Sequence, residues 1–277
     1  MELPGGIKID GVLKRSFRFK PVTGSFEIML GEGARSAGSL PARITAVLSE
    51  ALAELGDTVA TVSQVRDLSV GDRQFLMVQL AAHIDDQDVW LTAECGMCRE
   101  LFDVPLKYAA LPVKPAGEEY PETTVETGLG RLRVRVPTGA DQEAIAAVAE
   151  ETAALRILLQ RLLSTVDPSR NLDVEQLSAD DIAAIEARLE AMAPEIAARL
   201  KTNCPGCEAE NQLPISPYAA LQRPAGDLYT EIHRLANTYH WSERDILELP
   251  RTRRQIYLQL IDQSRGMQNS QAFIEAS

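Results

Sequence analysis

The chain contains a partial copy of itself. Cys95-Gly96-Met97-Cys98 and Cys204-Pro205-Gly206-Cys207 are two C-x-x-C elements, and together they use all four cysteines. The offset of 109 that relates them also carries Ser69 and Asp72 onto Ser178 and Asp181, Leu68 onto Leu177 and Pro105 onto Pro214. Tyr108-Ala109-Ala110-Leu111 recurs as Tyr218-Ala219-Ala220-Leu221, one residue out of step. In each copy an S-x-x-D helix start precedes the C-x-x-C by 26 residues. Chance supplies one such match readily, but not the ordered series, so the spacing points to a duplication. Each half of the chain would then present one cysteine pair at the same place in its fold.

At 277 residues the chain is long enough to bury a core, as one large domain or two modest ones. No apolar run approaches the roughly 18 residues of a membrane span. Met1-Glu2-Leu3-Pro4-Gly5-Gly6 lacks the basic-then-apolar order of a secretory leader, so the expected location is the cytoplasm of the producing cell. Thiols there are normally reduced, and paired C-x-x-C elements then favour metal over disulfides. The net charge of −12 opposes binding to a phosphate backbone, which argues against nucleic acid as a partner. The local exception, Arg251, Arg253 and Arg254, follows Glu243, Asp245 and Glu248 and reads as a solvated helix face.

Alternation predicts strands over residues 7–30, with Phe17 and Phe19 on one run, Phe26, Ile28 and Leu30 on the next, and Pro21-Val22-Thr23-Gly24 as the turn. A glycine-rich loop, 31–39, leads to a helix over about 41–55 that stops at Gly56. Ser69 caps the next helix, with Asp72 at its third position. Strand 88–94, the first cysteine pair and strand 101–106 give the strand–knuckle–strand order of a zinc ribbon. Pro112–Gly130 reads as a linker. Leu132, Val134 and Val136 mark a strand, and a long helix follows with the stripe Ile145, Val148, Thr152, Leu155, Leu159 and Leu162, ended by Asp167-Pro168. The helix from Ser178 places Ile182, Ile185, Leu189, Met192 and Ile196 inward, with a kink at Pro194. Helices at about 227–239, 243–249 and 252–265 form a C-terminal module outside the duplication, which either docks on the body of the protein or offers a groove to a partner helix. The predicted fold class is α+β. A first half with a knuckle covers 1–112, a linker 113–130, a second half with a knuckle 131–222 and the helical module 223–277.

Zinc takes four tetrahedral ligands, and each C-x-x-C turn offers two sulfurs. Cys95, Cys98, Cys204 and Cys207 are therefore the candidate ligands of one shared site. With four protein ligands it would have no open position for water and would be structural. The 105 residues between the pairs far exceed the 15–20 of an ordinary four-cysteine ribbon, so the spacing is weaker evidence than the duplication. Four reduced cysteines without metal, or a dithiol redox pair, are the alternatives. Against redox chemistry, Glu208-Ala209-Glu210-Asn211-Gln212-Leu213-Pro214 does not resemble the helix that activates such a thiol. His83, His233 and His240 read as ordinary core or surface residues. No nucleophile elbow, phosphate loop or dinucleotide fingerprint is present, and no carboxylate pair stands out, so an enzyme is not expected.

Pro21-Val22-Thr23-Gly24, the stretch Asp67-Leu68-Ser69-Val70-Gly71-Asp72-Arg73 and the two knuckles resemble the T4-type baseplate assembly proteins of contractile-tailed phages and related injection systems. The resemblance covers roughly residues 1–220. The last helices resemble small tail-assembly chaperone modules, through His240-Trp241-Ser242 and Leu247-Glu248-Leu249-Pro250. The resemblance implies a non-catalytic role in building the baseplate hub, or in guarding a tail component before assembly. The implied partners are baseplate hub, tail or tape-measure proteins, with no nucleic acid and no membrane. Incorporation into the tail particle is a further implication. A dithiol redox protein and a permanent zinc-stabilised subunit of the particle are the competing readings.

Overall fold

The computed structural model describes residues 1–35, 38–85, 89–167, 171–218, 221 and 226–275, without the side chains of 226–227 and 265–275. The chain divides into two compact units. One holds Met1–Phe19 and Ser36–Ala220, the other Lys20–Arg35 and Leu221–Ser277.

The first unit opens with strands β1 (Glu2–Ile9) and β2 (Val12–Phe19), an antiparallel hairpin. Its turn, Asp10-Gly11, has φ of 50° and 77°, the backbone that matches the twist of two paired strands and that Gly and Asp tolerate. Helix α1 (Gly24–Arg35) follows in the chain but belongs to the second unit. Helix α2 (Leu40–Ala51) is capped by Ser39. Strand β3 (Leu52–Leu55) then pairs with β2, and β4 (Thr58–Val59) with β3. Helix α3 (Val62–Asp67) carries a full capping box from Thr61 and Gln64. Helix α4 (Val70–Ile84) starts at Ser69, and β5 (Val89–Glu94) and β6 (Leu101–Leu106) form the first ribbon.

After β7 (Val113–Lys114) the order recurs. Strands β8 (Glu122–Thr127) and β9 (Gly130–Arg135) make a hairpin. Helices α5 (Gly139–Ile145) and α6 (Glu151–Leu162) follow, and β10 (Leu163–Thr165) pairs with β9 as β3 pairs with β2. A 3-10 turn at Val174–Gln176 stands where α3 stood, and α7 (Ala179–Met192) starts at Ser178 within a full capping box. Strand β11 (Glu195–Ile196) pairs with β7, and β12 (Arg199–Asn203) with β13 (Glu210–Pro214) form the second ribbon. Val125, Leu132, Val134, Leu159, Ile185 and Met192 fill the core of this half.

In the second unit α1 lies with α8 (Gly226–Tyr239), α9 (Glu243–Glu248) and α10 (Arg251–Glu275). Leu228, Ile232, Leu235, Ile246, Leu258 and Ile261 form its buried core, with Ile28 packed against it. Tyr239 stacks on Trp241 and Tyr257 meets both edge-on, with ring centroids 4.8–5.6 Å apart.

The mixed helix and strand content is the α+β class expected. Several elements differ from the sequence reading. Phe26, Ile28 and Leu30 lie on α1, not on a strand. Phe26 and Leu30 are four apart, which fits either period, and their burial on one helix face decides it. Residues 31–35 extend that helix where a loop was expected. Leu52 and Leu55 leave the helix for β3, because the backbone turns extended at Leu52. The expected linker holds β8. The long helix after Thr138 is two helices, since Glu150 accepts the Ala153 amide and starts α6 afresh. Helix α6 ends at Leu162, and Pro168 lies outside the described residues, as do Asp88, Ala219 and Ala220. Pro194 falls beyond α7 and kinks nothing, and Ile196 is buried from β11. The three-helix pattern at the C-terminus stands as read, with α10 running on to Glu275.

Candidate metal centre

Each ribbon ends in a knuckle of the same construction. In the first, the Cys95 amide donates to the Glu100 carbonyl and the Arg99 amide to the Cys95 carbonyl, at 2.9 and 3.0 Å. In the second, Cys204 donates to Ala209 and Glu208 to Cys204, at 3.0 and 2.9 Å. Arg99 and Glu208 sit at φ of 64° and 61°, the left-handed residue that closes each knuckle. Glycine would take that conformation at less cost, so neither position is legible as a turn from residue type alone.

The two knuckles meet. Cys95 Sγ lies 3.6 Å from Cys207 Sγ, and Cys98 Sγ lies 3.6 Å from Cys204 Sγ. All four sulfurs fall within 4.8 Å of one another. A zinc–sulfur bond of about 2.3 Å sets the corners of its tetrahedron about 3.8 Å apart, so the donor set fits such an ion. The four cysteines could hold a metal. None of the pairs is close enough for a disulfide bond, which needs about 2.05 Å.

The surroundings suit a thiolate at Cys95, while hydrogen bonding among the neighbouring thiols pushes Cys98 up to about 12 and raises Cys207. The backbone amides of Cys98 and Met97 hold the Cys95 thiol down to about 6. Met97 donates to Cys95 Sγ at 3.4 Å. Asn211, from the opposite ribbon, accepts the Gly96 amide at 3.0 Å and places its Nδ2 3.7 Å from Cys95 Sγ. Cys95 and Cys204 are buried, with Ala93, Phe102 and Val104 around them, while Cys98 and Cys207 are exposed. Asn211 was one of the polar positions read only as evidence against a redox helix, and its contact across the ribbons has no local sequence signal.

The helix starts quoted for the resemblance form a second cluster. Ser69 pairs with Thr138 in an isolated antiparallel bridge. Val70 donates to the Pro137 carbonyl and Gly139 to the Leu68 carbonyl, at 3.0 and 3.1 Å, so the starts of α4 and α5 lie back to back. Asp72 is wholly buried and accepts the Gly5 and Gly6 amides at 2.8 and 3.2 Å. Its Oδ2 also lies 2.7 Å from Ser69 Oγ and 2.9 Å from the Tyr120 hydroxyl. Burial still pushes its carboxyl above the ordinary range. Asp72 therefore ties β1 and Tyr120 to the helix, beyond the capping expected of it. Asp181 in the second half accepts the Gly128 amide of the β8–β9 turn at 2.7 Å.

Burial would raise the Asp141 carboxyl too. Arg135 at 2.6 and 2.8 Å, the Thr138 amide at 2.9 Å and Arg161 at 2.7 Å overcome it and hold the group well below the ordinary range. A depressed carboxyl contributes stability that is present above its unfolded pKa, about 4, and is lost as pH falls below it. Asp141→Asn is therefore expected to cost about 2–3 kcal/mol at pH 7 in a urea titration, the two arginines being partly solvated. The variant should also lose stability less steeply than wild type on acidification. Equal acid slopes would show that Asp141 is not the group responsible.

Arg73 is buried beneath α5. Its guanidinium donates to Thr45 Oγ1, the Val65 carbonyl and the Pro41 carbonyl at 2.9, 3.0 and 2.8 Å. Desolvation lowers it to about 10. A Cβ on Gly139 would fall 2.1 Å from Arg73 Nη1. Gly139→Ala is expected to destabilise the first unit by about 1–3 kcal/mol, read as a shifted urea midpoint with an unchanged slope. A neutral result would mean that Arg73 gives way freely.

His83 stacks on Phe19 at 5.3 Å, and His233 and His240 are exposed, in keeping with their reading as ordinary residues. The basic cluster reads differently. Arg253 is exposed, but Arg254 is fully buried between Glu231 and Glu27, and Arg251 reaches Glu27 at 3.3 Å. Glu27 is 224 residues away from Arg251 in sequence, which is why the cluster looks solvated when read locally. Among the described residues no helix is long and apolar enough to cross a membrane.

The two ribbons and the back-to-back helix starts define a scaffold held by internal contacts. The family model for the T4 bacteriophage base plate protein matches residues 12–218, and the chain belongs to that family. The match stops before α8, so it does not extend to the helices that resemble chaperone modules. Comparison with curated proteins and with solved structures returns no match.

Proposed function

We propose that the protein is a non-enzymatic assembly component of the baseplate of a contractile-tailed phage or phage-like injection system, built on an internal duplication and a structural four-cysteine zinc site. The observation that carries the reading is the convergence of four sulfurs from two equivalent knuckles, in a chain of the base plate family. A closed sulfur site has no place for substrate or water, so its work is to fasten two ribbons 109 residues apart in sequence. The ligands would be Cys95, Cys98, Cys204 and Cys207. The organisation proposed is a first half over 1–112, a connection over 113–130, a second half over 131–222 and a helical module from 223, the last acting as a chaperone-like part. Its partners are hub, tail or tape-measure proteins, met in the cytoplasm of the producing cell.

Deleting the gene in the producing strain is expected to abolish sheathed tails with baseplates in electron micrographs, and supplying the chain from a plasmid should restore them. Normal tails in the deletion strain would overturn the assembly role. Composition analysis of purified particles separates a resident subunit, present at fixed copy number, from a chaperone that departs.

A further inference from the structure

The back-to-back helix start occurs twice, and a third place for it stands open. In the first unit α5 lies against α2 and α3, with its Thr138 bridged to Ser69. In the second unit α1 lies against α9, with its Thr23 bridged to Pro250 and the Arg251 amide donating to the Val22 carbonyl at 3.0 Å. Arg251 matches Val70 in this pattern, and Val22 matches Pro137. Both seated helices open with Thr-Gly: Thr23-Gly24 and Thr138-Gly139. Both carry a carboxylate one turn further on. Glu27 meets Arg254 and Arg251, and Glu143 meets Thr45 at 2.5 Å and Arg66 at 2.8 Å.

The second half repeats the receiving elements of the first. Helix α6 stands for α2, the turn Val174–Gln176 for α3 and α7 for α4. Among the described residues, no helix occupies the place that α5 takes on the first half. A groove of about 350 Å³ lies there instead, lined by Leu155, Leu159, Val174, Leu177 and Ile182. Ile44, covered in the first half, is 2% exposed, and its counterpart Leu155 is 39% exposed. Leu68 and Ser69 are buried, and Ser178 is exposed. The Val70 amide and Leu68 carbonyl are paired. Their counterparts, the Ala179 amide and the Leu177 carbonyl, have no partner among the described residues.

We infer that this groove is the seat for a helix of a second protein, one that opens with Thr-Gly or Ser-Gly and pairs its backbone with Leu177–Ala179. The lining sets the rest of its chemistry. Arg156 stands where Thr45 donates to Glu143, and it pairs with Glu175 of the groove lining at 2.8 Å, so a carboxylate of the occupant five residues beyond its hydroxyl residue would compete with Glu175 for it. Ile182 stands where Arg73 lies, so the occupant's first turn is apolar or bare there. This chain's own two helices of that kind, α1 and α5, are already seated, which favours a different protein over a second copy. The inference rests on the three equivalent seats and is independent of the zinc site and of the assembly role.

The probe is a capped peptide of residues 136–149, which carries the α5 sequence, titrated into the isotopically labelled full chain and followed by amide NMR. Saturable shifts are expected at Leu155, Ile182 and Ala179. Ala179→Pro removes the pairing amide at the first helical position. Proline is at home there, and Ser178 already has φ −75° and ψ 166°, the extended backbone that precedes proline. The variant should keep the wild-type melting temperature and bind about tenfold more weakly. Absence of saturation with millimolar peptide, shifts centred on the first seat, or unchanged affinity in Ala179→Pro would each overturn the inference.

Discussion

Purified chain is expected to carry one zinc per molecule with its four thiols protected, and stripping that metal is expected to open the two ribbons. Strands β5 and β6, and β12 and β13, pair only within their own ribbons. Around the cysteines the core they share is small, Ala93, Phe102 and Val104 with Leu200, Ala209 and Leu213 at its edge, and Leu91, Leu106 and Leu200 meet in a second cluster with Val78, Ile196 and Ile215. The apolar contact beside the sulfurs replaces only part of what the metal supplies, and without a cation the thiols take up protons and the link between the ribbons is lost. Zinc bound to four cysteines in small peptides contributes about 10–16 kcal/mol of apparent binding energy at neutral pH, and part of that should appear here as folding energy. Hydrogen exchange is the measurement that localises it. After chelation, amides of residues 89–106 and 199–214 should lose protection by about two orders of magnitude or more, while the second unit, which has no cysteine, should not change. Cys98→Ser should weaken metal retention and shift its acid release to higher pH, because the remaining ligands still compete with protons for the metal. Absence of metal, with two pairs that oxidise readily in air, would sink the zinc site and favour the dithiol reading. A ratio of one zinc per two chains would mean that the site is shared between molecules.

What the sequence revealed depended on whether the physics was local. The cysteine pairs, the serine caps and their aspartates sit at fixed short spacings, because a knuckle and a helix start are each made by residues three apart. Those features were legible, and so was the offset that relates them. The strand assigned to Phe26, Ile28 and Leu30 failed because residues four apart, such as Phe26 and Leu30, share a face in a strand and in a helix alike, and the partners that Gly24 and Glu27 meet, Leu247 and Arg254, lie far away in the chain. The long helix predicted after Thr138 failed for a related reason. Its stripe runs on in register through residues 145–162, but Glu150 caps a new helix inside it. The roles of Asp72, Arg73 and Arg254 were hidden because each depends on partners far away in the chain. A buried charge looks like a surface charge until its partner is known. Arg254 shows the cost of that most clearly.

Arg254→Leu is expected to destabilise the second unit by about 3–5 kcal/mol, because it leaves Glu231 without its cation and Glu27 with Arg251 alone, at 3.3 Å. The arginine side chain is fully buried. Nε donates to Glu231 at 3.0 Å, Nη1 to the Leu249 carbonyl at 2.9 Å, and Nη2 to Glu27. Gln255 holds the other oxygen of Glu231 at 2.6 Å. Glu27 and Glu231 are themselves mostly covered, with 18% and 16% of their side chains exposed, so neither can recover its lost partner fully from water. The cluster joins α1 to α8 and α10, and a unit with so few buried residues has little stability to spare. The expected result is a loss of helical signal at a lower temperature than the rest of the chain, with the first unit's transition unchanged. The ion pairs also imply a compensation. Glu27→Gln and Glu231→Gln, added to Arg254→Leu, remove the orphaned charges and should restore a large part of the loss, since a neutral buried cluster of similar volume is often as stable as the ionic one. A single-variant cost below about 1 kcal/mol would mean that water reaches the carboxylates. A triple variant no better than the single would mean that the lost contacts of the long arginine stem, rather than the unpaired charges, set the cost.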